Sequence, residues 1–212
     1  MHLSYAHGVA SRPLLGQTLG QALDSAARRF GARDAVISCH QNLRYSYAEL
    51  LQHVNRAAKA LIGLGVQRGD RVGIWSPNNA EWAIAQYAAA KAGAILVNVN
   101  PAYRVRELQY ALKHSGVSVL VSARGFRSAD YVQMLDELAP ALPALRHVVY
   151  LGDSDSPTGV IWADFLKLGD GVSDGELARR EALLQFDDAV NIQYTSGTTG
   201  APKGATLSTT TS

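Results

Sequence analysis

The 212-residue chain has a single cysteine, Cys39, which excludes an intrachain disulfide and any metal site built from paired cysteines. That usage fits a reducing cytoplasm. Charge is also scarce in either direction. Twenty Lys and Arg against 18 Asp and Glu leave a net +2, and no run of like charge stands out, so nucleic acid is not implied as a partner. Long apolar runs are missing as well. The most apolar stretch, 82–99, is broken by Gln86, Lys91, Gly93 and Asn98, which reads as a buried helix followed by a strand and not as a membrane span. The opening residues 1–8 have neither the basic end and apolar run of a secretory signal nor an Arg-rich amphipathic pattern, so they read as a cytosolic terminus. His40, His53, His114 and His147 are isolated, with no H-E-x-x-H pair, and no metal site is expected. Ser154 and Ser173 lack the G-x-S-x-G elbow of serine hydrolases.

What remains is ordinary globular material, 47% hydrophobic and 18% charged. Helical spacing of Leu19, Leu23, Ala26, Ala27 and Phe30 predicts a first helix ending at Gly31. A short hairpin (35–38 and 43–45, across Gln41-Asn42) follows. Ser46 and Glu49 then form an S-x-x-E capping box, in which each side chain satisfies a backbone N–H that the first helical turn leaves unpaired. From there strands and helices alternate: strands at 71–75, 95–98, 118–122 and 146–151, helices at 79–92, 104–114 and 131–139, with Asn78 and Glu81 supplying a second cap. This is βαβ arrangement, and it predicts an α/β fold with a layered, mostly parallel sheet flanked by helices. Further helices are expected at 162–168 and 176–184. A strand at 189–194 leads into a glycine-rich run, and another follows at 205–207. Asp187 and Asp188 read as turn residues, since neighbours on a strand would point to opposite faces. Trp75, Trp82 and Trp162 read as core, although Trp75 ends a parallel strand, where ligand crevices of α/β sheets lie.

The run Thr195-Ser196-Gly197-Thr198-Thr199-Gly200-Ala201-Pro202-Lys203-Gly204 carries the chemistry. Its glycines let backbone N–H groups close around an anion, its hydroxyls can donate to phosphate oxygens, and Lys203 brings a full positive charge. It differs from the Walker loop, which needs G-x-x-x-x-G-K-[ST] opening a helix. Here Pro202 precedes the lysine, Gly204 follows it, and a strand comes next.

At these ten residues the chain resembles the adenylate-forming superfamily of acyl-CoA synthetases, peptide-synthetase adenylation domains and firefly luciferases, whose signature is T-S-G-[ST]-T-G-x-P-K-G. Tyr45-Ser46-Tyr47-Ala48-Glu49-Leu50, Gly69-Asp70-Arg71-Val72, Pro77-Asn78 and Asn98-Val99-Asn100-Pro101-Ala102-Tyr103 are similar to stretches of fatty-acyl-CoA synthetases. The last of these, with Asn191-Ile192-Gln193-Tyr194, looks most like the medium-chain branch. The resemblance implies that ATP and a carboxylate give an acyl-adenylate and pyrophosphate, after which a thiol such as coenzyme A displaces AMP. It implies that Thr195, Ser196, Thr198 and Thr199 supply hydroxyls to the β- and γ-phosphates, with Mg²⁺ accompanying the nucleotide. Gly197 and Gly200 would allow close approach, Ala201 would belong to the same phosphate-binding run, Pro202 would stiffen the approach to the lysine, and Lys203 would supply the charge. Ordering such a loop costs on the order of 1–2 kcal/mol per residue, which predicts a mobile loop before nucleotide binds.

The family's histidine after Leu207-Ser208 is replaced by Thr209, and no residue here matches its adenine segment, ribose-binding aspartate, hinge or C-terminal lysine. Residues 1–212 are therefore expected to be the N-terminal portion of one adenylation domain, without a complete second domain and inactive alone. The alternatives are a non-catalytic remnant or a general nucleotide-phosphate-binding fragment. An edge strand left at 205–207 predicts self-association.

Overall fold

The computed structural model describes residues 15–152, 158–195 and 202–209. In chain order the elements are α1 (Leu19–Phe30), β1 (Asp34–Ser38), β2 (Leu43–Ser46), α2 (Tyr47–Gly63), β3 (Arg71–Trp75), α3 (Ala80–Ala92), β4 (Ile95–Val99), α4 (Val105–Ser115) and β5 (Val117–Ser122). Then come β6 (Gly125–Phe126), β7 (Ala129–Asp130), α5 (Tyr131–Leu138), β8 (His147–Tyr150), β9 (Val160–Ile161), α6 (Trp162–Lys167), α7 (Asp174–Ala182), β10 (Ala189–Thr195) and β11 (Lys203–Ser208).

Caps fix many of these boundaries. Both halves of the capping box are present at the start of α2, where Ser46 Oγ accepts from the Glu49 N–H and the Glu49 carboxylate accepts from the Ser46 N–H at 2.8 Å. The α3 cap differs from expectation. Asn79 fills it instead of Asn78, its Oδ1 accepting from the Trp82 N–H at 2.9 Å while its Nδ2 donates to Ser76 Oγ. An N-cap must reach the N–H three residues ahead, and Asn78 stands one residue too early for a helix starting at Ala80. Gly93 and Gly116 close α3 and α4 in the left-handed region, which glycine adopts without a Cβ penalty.

The main sheet runs β11-β10-β4-β3-β5-β8-β9, parallel throughout except for the antiparallel edge pair β10–β11. Alternation along each strand feeds two cores. Val72, Ile74, Leu96, Val119, Val121 and Val149 pack with residues of α1, α2, α3, α6 and α7 on one face. On the other face Trp75, Val97, Val99, Leu120 and Tyr150 pack with α4 and α5. A register shift between β3 and β5 pairs Arg71 with Val117 and Val72 with Val119, so Val117 falls on the opposite face from Val119 and Val121. This is the layered, mostly parallel α/β architecture that the alternation predicts. The two-residue strands β6, β7 and β9 are additions to it. Among the described residues no helix is long and apolar enough to cross a membrane.

Candidate functional site

Strand order fixes where a crevice can form. The chain leaves β3 into α3 on one face of the sheet and leaves the adjacent β4 into α4 on the other. Two neighbouring strands whose connections diverge to opposite faces make a topological switch point, and the gap lies at their carboxyl ends. A cleft of ≈ 530 Å³ occupies that position. Ser76, Pro77 and Asn78 line it from the turn after β3, Asn100, Pro101 and Tyr103 from the turn after β4, and Gln193 and Tyr194 from β10, with Trp82 and Phe126 at its sides. Its size is in the range of small-molecule sites, and its lining is aromatic and amide-bearing.

The turn after β4 is held from beneath. Trp75 is fully buried and stacks on Tyr131 with ring centroids 3.5 Å apart and planes 7° from parallel. Trp75 Nε1 donates to the Asn100 carbonyl at 3.1 Å, and the Tyr131 hydroxyl donates to the Pro101 carbonyl. Asn100 closes the turn itself, its Oδ1 accepting from the Ala102 N–H and its carbonyl from the Tyr103 N–H. Burial pushes the Tyr131 phenol up to about 12, against a smaller downward pull from Arg104, so it stays a donor. Tyr103 is raised as well, by burial and then by the Glu107 carboxylate.

The ten-residue run begins at the same edge. Thr195 is the last residue of β10, Lys203 is the first of β11, and the two are register partners, both exposed. Pro202 immediately precedes Lys203. Ser196, Gly197, Thr198, Thr199, Gly200 and Ala201 lie outside the described residues. α4 braces the base of this hairpin. Tyr110 Oη donates to the Pro202 carbonyl at 3.0 Å, Tyr194 Oη donates to the Ala111 carbonyl at 2.9 Å, and His114 Nδ1 lies 3.0 Å from Tyr194 Oη. Burial raises the Tyr194 phenol, with the Ser115 side chain offsetting part of the effect.

Among the described residues, no three His, Cys, Asp or Glu side chains converge as a metal cage. Mg²⁺ held largely by substrate phosphates and water needs no such cage. Asp188 serves a turn at the opposite end of the sheet, accepting from the Gln185 N–H at 3.0 Å and from Arg68 at 2.7 Å. Burial would raise its carboxyl, but these bonds hold it below the usual value. Ser173 caps α7, and Ser154 lies outside the described residues. Sequence reasoning missed the bracing role of Tyr110 and His114. Their i, i+4 spacing on α4 was the available signal.

Comparison with known proteins gives a consistent picture. The family profile "AMP-binding enzyme" matches residues 23–211. The chain is 40% identical over 218 residues to the mitochondrial medium-chain acyl-CoA ligase ACSF2 of Danio rerio, covering 97% of this chain and 36% of that protein. It is 37% identical to the same-named ligase of Homo sapiens, with the same coverage. The chain thus spans about a third of the length of these relatives. Among solved structures, Mycobacterium smegmatis MbtA superposes with a TM-score of 0.77 at 32% identity, over 92% of this chain and 34% of that one. The anthranilate CoA ligase AuaEII with bound anthranoyl-AMP shares the fold, at a TM-score of 0.77 and 22% identity, over 93% and 36% of the two chains. On the extent of the profile match and the identity to these ligases, the chain belongs to the AMP-binding enzyme family.

Proposed function

We propose that this chain, residues 1–212, is the phosphate-loop-bearing N-terminal portion of the adenylation domain of an AMP-forming acid–thiol ligase. The protein to which it contributes would activate a carboxylic acid with ATP and pass the acyl group to coenzyme A. The single observation that carries this reading is where the described residues of the 195–204 run lie. Thr195 at its start and Lys203, one residue before its end, stand opposite each other at the carboxyl edge of the sheet, and the crevice at the β3/β4 switch point is lined by the neighbouring Tyr194 and Gln193.

In this reading Thr195, Ser196, Thr198 and Thr199 donate hydroxyls to the β- and γ-phosphate oxygens. Gly197, Gly200 and Ala201 leave room for the backbone to approach, Pro202 stiffens the loop, and Lys203 neutralises charge growing on the departing pyrophosphate. Mg²⁺, bound with the nucleotide, supplies further neutralisation of the phosphates. The run performs no covalent step, and the protein's contribution here is orientation and fixed positive potential. A medium-chain fatty acid is the proposed substrate, on the names of the relatives. A cytoplasmic location is our reading from cysteine usage. The ACSF2 relatives are named mitochondrial, and cell fractionation decides between the two compartments.

The test joins this chain to the remaining two thirds of the Danio rerio relative and measures acid-dependent exchange of pyrophosphate into ATP. A folded chimera should catalyse exchange with medium-chain acids, and Lys203→Ala should reduce it by at least roughly tenfold. Exchange indifferent to Lys203, or a folded chimera with none, would contradict the assignment.

A further inference from the structure

Parallel pairing of β10 with β4 ends at Gln193 opposite Asn98. The last two pairs of the β10–β11 hairpin, Tyr194 with Gly204 and Thr195 with Lys203, therefore project beyond the sheet as a two-stranded ribbon. Such a ribbon is marginal in water without support.

Support comes from one stretch of α4, and it reaches both strands. Tyr194, next to Thr195, donates its hydroxyl to the Ala111 carbonyl at 2.9 Å, and the hydroxyl of Tyr110 reaches across to the carbonyl of Pro202, next to Lys203, at 3.0 Å. His114 joins the two tyrosines, its ring stacked on Tyr110 with centroids 5.2 Å apart and its Nδ1 3.0 Å from Tyr194 Oη. Gly204 leaves room for this packing, since a Cβ there would come within 3.1 Å of Ile192 Cγ2 and 3.7 Å of the Tyr194 ring.

We propose that Tyr110, His114 and Tyr194 are positioning residues that clamp both feet of the loop, so that Thr195 and Lys203 face phosphate at a fixed separation. The inference rests on the phosphate-loop reading above. It adds a cause for the spacing of Thr195 and Lys203 that lies outside the ten-residue run, chiefly on a helix some 90 residues earlier in the chain.

Tyr110→Phe and Tyr194→Phe keep the rings and remove one hydroxyl each. Amide hydrogen exchange at Thr195, Lys203 and Gly204 and the affinity for MgATP are measured on each variant, with Val72 and Ile74 of β3 as internal controls and Lys203→Ala alongside. Loss of one hydrogen bond in Tyr110→Phe, and of the two that the Tyr194 hydroxyl makes in Tyr194→Phe, should speed exchange at the feet and weaken MgATP by at least about fivefold, leaving β3 unchanged. A merely structural role would accelerate β3 as well, and that result, or unchanged feet, overturns the clamp. Looser feet with unaltered MgATP affinity, while Lys203→Ala still weakens binding, also overturns it and leaves the loop reading standing. If the unsubstituted chain does not bind MgATP, the loop reading fails and the clamp loses its function with it.

Discussion

Lys91 is 2% exposed on α3, where its ammonium lies 2.9 Å from Asp24 of α1 and 2.8 Å from Glu181 of α7. In the sequence it is one of the polar residues that interrupt an apolar run, and nothing local distinguishes it from a surface lysine. Its partners come from 67 and 90 residues away, through packing that only the fold creates. Burial raises the Glu181 carboxyl, and the hydrogen bond and charge of Lys91 offset only part of that rise. A raised folded-state value means that the native protein holds a proton that the unfolded chain has released. Stability from this group is therefore fully present below the ordinary carboxylate range and falls as pH rises through the raised value. Lys91→Met would leave both carboxylates without their cation. Discounted for their partial exposure, the expected loss is about 2–3 kcal/mol at pH 7.5, and smaller at pH 5, where Glu181 takes up a proton more readily. Denaturant unfolding at the two pH values checks this. A loss independent of pH would contradict it.

At the scale of elements, legibility followed how local the deciding interaction was. The bounds of α1 and β3 were readable because apolar period and flanking Gly or polar residues act within a few positions. The α3 cap was not, because Asn78 and Asn79 are chemically identical and their order is settled by where the helix begins. The consequence is measurable. Asn79→Ala should cost about 1 kcal/mol in thermal or denaturant unfolding, whereas Asn78→Ala, which touches the crevice instead, should stay within about 0.5 kcal/mol of the parent. Equal losses would contradict the assignment. The β6–β7 pair escaped notice because two-residue strands carry no period, and Arg127 between them adopts a left-handed backbone (φ 55°) that favours glycine, asparagine or aspartate.

For the whole molecule, the alternation of strands and helices announced a layered α/β sheet, but strand order was not written in any segment. The order places β4 between β3 and β10, and this brings the Asn98–Tyr103 stretch, the Pro77-Asn78 turn and the end of β10 to one edge. Motifs separated by about 20 and 90 residues in sequence thereby become neighbours around one crevice. The run stands out in the sequence because the proposed anion binding needs glycines, hydroxyls and a cation in succession. The brace from α4 does not, because it is made of contacts between distant segments.

Binding measured by calorimetry on this chain with MgATP, magnesium pyrophosphate and AMP in turn tests the central claim most directly. If the run at 195–204 holds the β- and γ-phosphates, MgATP and magnesium pyrophosphate should compete for one site, and AMP should bind at least roughly tenfold more weakly, the ~1.4 kcal/mol scale of one hydrogen bond to a charged group. Lys203→Ala should erase that preference. AMP binding as tightly as MgATP, or a preference untouched by the loss of Lys203, would contradict it.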